Sequence, residues 1–287
     1  MSATVAVVGR GFGAAVHAPG WELAGARVLG VVGRDEWREL VPQADVVSVA
    51  APPAAHREVV LEAVRVGARV LCEKPLATTL GDAELLEGAA RELPNAVSFG
   101  YRFVPAFARF RELLDADELR ILWTTGSRLR RGQPGWKDDP LQGGALSAYG
   151  VHALDYARWL LGEAEVEQAT VEPSEDAFTA VLGHEDGRRT RLTVSLVSEE
   201  RVHRLEAGDL VVENRHATDP VGAFTLTDGG REVDVPGLRS TPGADPRVAP
   251  FAALALALLE GRERPTFTDG LHAQRLMDEV RKLGSSS

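Results

Sequence analysis

Cysteine is nearly absent from this 287-residue chain: Cys72 is the only one. A lone cysteine excludes an internal disulfide framework, fits a reducing compartment and leaves no thiolate set for structural zinc. The seven histidines show no metal-ligand spacing, so no metal is expected. Long apolar runs are missing as well. FAALALALLE at 251–260 falls far short of the ~20 residues a spanning helix needs. MSATVAVVGRGFG has neither a basic n-region nor a long h-region, so the expectation is a cytoplasmic protein without a secretory leader. Positive charge is in deficit, with 32 basic against 42 acidic residues and a net charge of −10. That balance argues against a nucleic-acid partner or an anionic membrane. Lysine is the scarcest charge: three residues against 29 arginines. There is no internal repeat and no low-complexity linker.

What the chain does have is alternation. TVAVVG (4–9), RVLGVVG (27–33), ADVVSVA (44–50), ARVLC (68–72) and AVSFG (96–100) are short apolar runs separated by helical segments. In AAHREVVLEAVRVG (54–67), Val59, Val60, Ala63 and Val64 fall at helical spacing. Thr79 and Asp82 form a capping pair that opens a helix reaching Leu93. The series predicts a doubly wound parallel sheet whose strands end on one ligand-binding edge. From about 118 the pattern changes. A helix is predicted over 144–162, followed by period-2 segments such as RTRLTVSL. There Leu192, Val194 and Leu196 face one way and Arg191, Thr193 and Ser195 the other. This predicts an α+β domain on a largely antiparallel open sheet. The expected division is 1–117 and 118–287, with the last two helices (249–260 and 270–283) packing back on the first domain.

Gly9-Arg10-Gly11-Phe12-Gly13-Ala14 lies between the first strand and its helix. It reads as GxGxxA from Gly9, Gly11 and Ala14: a tight turn, an approach path for a pyrophosphate, and close helix–strand packing. The helix N-terminus adds N–H groups and a positive dipole end. At the tip of the second strand, Val32-Gly33-Arg34-Asp35 puts glycine where NAD sites carry an acid, with Arg34 next. An arginine here can clamp a 2′-phosphate, so NADP(H) is favoured. NAD(H) stays open, because a shift of one or two residues brings Asp35 to the ribose.

GRGFGAAVHAPG, VSVAAPPAAHREVVLEAVRVGARVLCEKPLA, YRFVPAF, GGALSAYGVHALDYARWLLG and GRERPTFTDGLHAQRLMDEVRK follow one another as they do in the Gfo/Idh/MocA oxidoreductases, which this chain resembles over nearly its whole length. The resemblance implies an N-terminal Rossmann domain and a C-terminal α+β domain, whose open sheet is often the interface of a homo-oligomer. It implies cofactor contacts from the glycine turn (Gly9, Arg10, Gly11, Phe12, Gly13), Gly33 and Arg34, Ala51, Pro52 and His56, and from Glu73, Lys74, Arg102 and Trp136. It also places His17 beside the cofactor cleft. Its EKP motif falls on Glu73, Lys74 and Pro75, where lysine is catalytic and the bond before proline is often cis.

The family's second motif, Asp-x-x-x-His, reads Ala148-Tyr149-Gly150-Val151-His152: the histidine matches and the aspartate is missing. At i and i+4 the two positions would share a helix face. Tyr149, Asp138, Asp139 and Asp155 are the groups that stand near enough in sequence to substitute. Arg128, with Arg130 and Arg131, is either a solvated edge or a site for an anionic substrate. The expected activity is hydride transfer between nicotinamide and a carbonyl or secondary alcohol of a sugar, cyclitol or related molecule, with Lys74 and His152 handling proton and charge. The alternatives are a non-catalytic, dinucleotide-binding regulator and a reductase of an imine-type substrate that does not need the missing carboxylate.

Overall fold

The computed structural model describes residues 2–33, 35–129, 136–216, 219–237 and 243–285, without the side chains of Trp136, Pro140 and Leu141. The chain opens with β1 (Thr4–Val8), a π-helical turn (Gly13–His17) running into α1 (Ala18–Leu23), β2 (Arg27–Val32), α2 (Trp37–Leu40), β3 (Val46–Val49), α3 (His56–Arg65), β4 (Arg69–Cys72), α4 (Leu80–Ala90) and β5 (Asn95–Val97). It continues with α5 (Pro105–Leu113), β6 (Glu118–Thr124), α6 (Pro140–Gly143), a second π-helical turn (Leu146–Gly150) and α7 (Val151–Leu161). Strands β7 (Ala164–Val171), β8 (Ala177–His184), β9 (Arg189–Ser195), β10 (Val202–Ala207), β11 (Leu210–Asn214), β12 (Thr225–Asp228) and β13 (Arg231–Glu232) follow, then α8 (Val248–Glu260) and α9 (Phe267–Gly284).

Two compact units result, one of residues 1–103 with 239–274 and the other of 104–238 with 275–287. In the first, five parallel strands lie in the order β2-β1-β3-β4-β5. The chain reverses its winding direction between β1 and β3, and such a switch point is where open α/β sheets bind ligands, outside the strand ends. β3 is buried throughout, as a central strand covered on both faces must be. Ser48 is its one polar residue. The core packs Val5, Val7, Val46 and Leu71 of the sheet against Trp21 of α1 and Phe251, Leu254 and Leu258 of α8. An ideal Cβ on Gly20 would lie 2.4 Å from Phe251, so glycine is what lets α1 approach α8.

In the second unit eight strands run β13-β12-β11-β10-β6-β9-β8-β7. All neighbours are antiparallel except β6 and β9. Burial alternates strictly along β9, where Thr190, Leu192 and Val194 are buried and Arg189, Arg191 and Thr193 exposed. The buried face is covered by the 146–161 helix: Gly150 sits against Phe178 of β8, which a Cβ would approach to 2.7 Å, and Tyr156 reaches His203 of β10. No helix among the described residues is long and apolar enough to cross a membrane.

Both helices expected at functional positions begin in π register. Ala18 N–H bonds Gly13 O and Val151 N–H bonds Leu146 O, five residues back in each case. At the first, Pro19 has no N–H to offer the preceding turn, so no backbone bond from that position holds the turn to regular α-helix. At the second, the wider turn lies between position 148 and His152.

Candidate active site

The edge of the first unit is built from four turns that follow β1, β2, β3 and β4. Gly9 N–H bonds Val32 O at 2.9 Å and Gly9 takes φ +125°. A Cβ there would lie 2.3 Å from Ala50 O, so the turn admits no side chain. Gly11 differs: an ideal Cβ meets no heavy atom within 4 Å. The backbone is bare on that side because nothing in the protein fills it, which is the fit a pyrophosphate requires. The tight packing expected of Ala14 belongs to Gly13. Ala14 is exposed, whereas Gly13 is buried with its ideal Cβ 2.9 Å from Val7 Cγ1. The close approach thus falls one residue earlier in the chain. Phe12 caps the turn without a side-chain hydrogen bond.

At the β2 tip, Arg34 lies outside the described residues, and Arg10 and Gly33 come together. The Arg10 side chain passes over Gly33, whose ideal Cβ would be 3.4 Å from Arg10 Nε. Glu36 binds both: its two oxygens accept from Arg10 Nη2 at 2.6 Å, and Oε2 accepts from Gly33 N–H at 3.0 Å. The Gly33 N–H and the Arg10 guanidinium hold the exposed Glu36 carboxyl below its ordinary range. The acid at this tip is therefore Glu36, one residue beyond Asp35. The only sequence signal was its place just ahead of a short helix.

The β3 turn carries Ala51, half-buried, and Pro52, exposed. His56 is fully buried behind them. Its Nε2 faces Ala51 O at 2.9 Å, and its Nδ1 faces Pro75 O at 3.0 Å and Leu76 O at 3.3 Å. Burial pushes His56 below the ordinary histidine range, against the raising effect of those carbonyls and of Glu73. It joins the turns after β3 and β4 from inside. Arg102 donates to Asp269 Oδ1 at 3.0 Å with its side chain mostly buried, and the Trp136 side chain lies outside the described residues.

The β4 turn holds the EKP motif. Glu73 N–H continues the ladder to Val49 O at 2.8 Å, and the Lys74–Pro75 peptide is cis. Glu73 Oε1 lies 3.1 Å from His17 Nε2, and Oε2 accepts from Lys74 N–H at 3.3 Å. Burial raises the Glu73 carboxyl, but His17, Lys74 and Ser98 together outweigh it and leave the group below its ordinary value. His17 does not line the cleft as expected. It is wholly buried beneath the EKP turn, bonded to Ser48 at 2.8 Å and packed on Phe251 with ring centroids 4.1 Å apart. The glycine turn and Lys74 end strands two places apart in one sheet, about 10 Å at the usual strand spacing. That separation suits an extended ligand laid across the strand ends.

In the second unit, His152 is half-buried on α7, with Trp123 at 6.0 Å between ring centroids. Tyr149 stands edge-on to the same Trp123 at 4.8 Å. Trp123 stacks in turn on His203 at 3.7 Å. Burial holds His203 well below the ordinary histidine range. Arg128 is bound by two carboxylates, Asp176 and, at 2.7 Å, Asp138; Arg130 and Arg131 lie outside the described residues. Its charge is thus opposed within the protein, which fits neither the solvated edge nor the anion site expected of it. Asp138 is tied to that pair, and Asp155 is buried in α7. No cluster of metal-ligating side chains occurs among the described residues.

The chain matches two family descriptions. "Oxidoreductase family, NAD-binding Rossmann fold" matches residues 22–101, and "GFO/IDH/MocA C-terminal domain" matches residues 107–207. An uncharacterized oxidoreductase of Synechocystis sp. is 28% identical, over 96% of this chain and 92% of that protein. The 1,5-anhydro-D-fructose reductase of Ensifer adhaerens is 30% identical, over 79% of this chain and 73% of that protein. Among solved structures, a levoglucosan dehydrogenase in complex with NADH and levoglucosan superposes with a TM-score of 0.83 at 17% identity, covering 100% of this chain and 98% of that one. That likeness carries the fold. With both domain descriptions matched in order and a relative similar across most of its length, the chain belongs to the GFO/IDH/MocA family of NAD-binding oxidoreductases.

Proposed function

We propose that this protein is a nicotinamide-dependent dehydrogenase or reductase acting on the secondary alcohol or carbonyl of a sugar, cyclitol or related small molecule. A nicotinamide dinucleotide supplies or accepts the hydride when bound, and the protein's task is orientation and charge. The observation that carries the reading is the pairing, on one sheet edge, of a glycine turn with open space over Gly11 and the Glu73-Lys74-Pro75 turn at the end of β4. In the oxidising direction His152 takes the hydroxyl proton and Lys74 stabilises the developing negative charge. In the reducing direction both polarise the carbonyl and one returns the proton. The names of relatives, a 1,5-anhydro-D-fructose reductase and a levoglucosan dehydrogenase, support a sugar-like substrate.

NADP(H) is the preferred cofactor in this reading. Gly33 brings no side-chain acceptor to the β2 tip, Arg34 follows it, and Arg10 lies across it. Glu36 opposes this in part by occupying Arg10. The missing carboxylate at Ala148 keeps two further readings in play, an imine-type substrate and a dinucleotide-binding regulator. A cytoplasmic setting fits the single, buried cysteine.

The test is an absorbance screen for oxidation and reduction of the nicotinamide over sugars, anhydrosugars, polyols and their keto derivatives, run with wild type and Lys74→Met. Turnover of one such compound, lost by at least about a hundredfold in Lys74→Met while dinucleotide binding persists, supports the assignment. Full turnover by that variant refutes the role of Lys74. Binding without turnover of any compound in the panel favours the regulator.

A further inference from the structure

Beneath the EKP turn, four polar side chains cross an otherwise apolar core in single file. Trp21 Nε1–H donates to Ser48 Oγ at 2.7 Å, Ser48 Oγ lies 2.8 Å from His17 Nδ1, and His17 Nε2 lies 3.1 Å from Glu73 Oε1. Trp21, Ser48 and His17 are entirely shielded from solvent. They come from α1, β3 and the π turn, so the file is assembled by the fold and not by one local segment.

The hydrogens in this file can be counted. An indole N–H only donates, so Ser48 Oγ accepts from Trp21 and keeps its own hydrogen to give. A carboxylate only accepts, so the hydrogen between His17 and Glu73 resides on Nε2. A neutral imidazole has one hydrogen, which leaves Nδ1 bare to accept from the Ser48 hydroxyl. With a neutral ring, the arrangement that satisfies all four groups runs Trp21 to Ser48, Ser48 to His17, His17 to Glu73, every donor pointing toward the carboxylate; a doubly protonated ring would instead donate to Ser48, whose oxygen would then accept twice. The ring plane is fixed by Phe251 on one side and by the edge of Phe12 at 5.4 Å. Glu73 passes the constraint on, because its second oxygen accepts from the backbone N–H of Lys74.

We propose that His17 is a positioning residue for Lys74: Ser48 and Trp21 fix its tautomer, and through Nε2–H it holds the Glu73 carboxylate against the Lys74 backbone, setting the direction and charge of that lysine. The final link, from Lys74 to turnover, rests on the function proposed above; the hydrogen-bond assignment does not. Besides His17 and Lys74, the titratable or charged groups acting on Glu73, or acted on by it, are Cys72, His56 and Arg247. A displaced Glu73 carboxylate is therefore felt at Lys74.

Two readouts independent of activity test this. In protein labelled with 15N-histidine at about pH 8, His17 is expected to show a protonated Nε2 and a bare Nδ1. Protonation at Nδ1, whether in the other tautomer or in an imidazolium, overturns the assignment. This measurement uses the wild-type protein and stands whatever the variants do. The second readout exploits the scarcity of lysine. After reductive methylation with 13C-formaldehyde, only three lysines, Lys74, Lys137 and Lys282, can give side-chain signals, and Lys74→Arg assigns the first.

His17→Leu removes the donor and releases the Glu73 carboxylate from the Lys74 backbone, so the Lys74 titration midpoint should shift by about half a pH unit or more as that anion changes place. Lys137 and Lys282 should not move. His17→Gln offers a carbonyl to Ser48 and an amide N–H to Glu73, and should restore the wild-type midpoint. With a substrate from the screen, kcat should fall about tenfold or more in His17→Leu and recover in His17→Gln, with KM for the dinucleotide unchanged. An unmoved Lys74 signal in His17→Leu sinks the proposal even if Lys74→Met is inactive. If Lys74→Met stays active while the NMR results hold, the catalytic reading falls and the positioning of Lys74 survives it.

Discussion

Replacing Gly11 with alanine separates dinucleotide binding from folding, because the two demands act on different glycines. A Cβ on Gly11 meets no heavy atom within 4 Å, and Gly11 is not among the residues with positive φ. Alanine is therefore tolerated, and the stiffer unfolded chain contributes about 0.4–1 kcal/mol of stability, a rise of roughly 1–4 °C in Tm for a protein of this size. The methyl group instead occupies the approach path of the pyrophosphate. Loss of one charge-assisted N–H to phosphate bond removes about 1.5–3 kcal/mol, or roughly 10- to 150-fold in Kd. Gly9→Ala is the opposite case. Its Cβ would sit 2.3 Å from Ala50 O at φ +125°, so the unliganded protein should lose several degrees of Tm or fail to fold. The assays are thermal unfolding without ligand and fluorescence titration with NADPH and NADH. If Gly11→Ala binds as tightly as wild type, the phosphates do not pass there and the fit argued from the open backbone is wrong. A drop in its unliganded Tm of more than a few degrees would refute the open space itself.

The β2 tip gives a second outcome: NADPH should bind more tightly than NADH, and Arg34→Ala should narrow the gap, whereas tighter NADH binding in the wild type removes the NADP assignment. His203 gives a third. Burial keeps it neutral in the folded state, so its contribution is complete above the unfolded value near 6.5 and is lost as pH falls below that value. The slope should be at most about 1.4 kcal/mol per pH unit for the one proton taken up on unfolding. Urea titrations between about pH 7.5 and 5 should show this acid slope reduced by one proton in His203→Phe; an unchanged slope would mean that His203 is protonated in the folded protein.

Sheet class and strand positions were legible because burial writes itself into periodicity. The unbroken apolar run Val46–Val49 is what a central parallel strand needs, and the alternation from Arg189 to Ser195 is what a one-sided sheet needs. The glycine turn and the EKP turn were legible because both depend on special residue types at fixed strand ends. The rest of the site was hidden for specific reasons. A π turn leaves no mark in apolar spacing, so the close approach was assigned to Ala14 when Gly13 makes it. Glu36 reaches back across a turn to Gly33 and Arg10, and local sequence does not show which of two neighbouring acids will do so. Arg128 meets Asp176, 48 residues away, through strand pairing that no local pattern displays. His17 had a visible helical position, but its direction depends on Ser48, a small polar residue in a strand that otherwise reads as pure core.

The histidine behind the β3 and β4 turns has one further consequence. A neutral His56 owns a single N–H, yet carbonyl oxygens face both of its nitrogens: Ala51 on one side, Pro75 and Leu76 on the other. It can latch one turn at a time, and the unlatched carbonyl then faces a lone pair and is repelled. While it is neutral, the ring can therefore donate to the turn at Ala51 or to the turn that follows Lys74, but not to both at once.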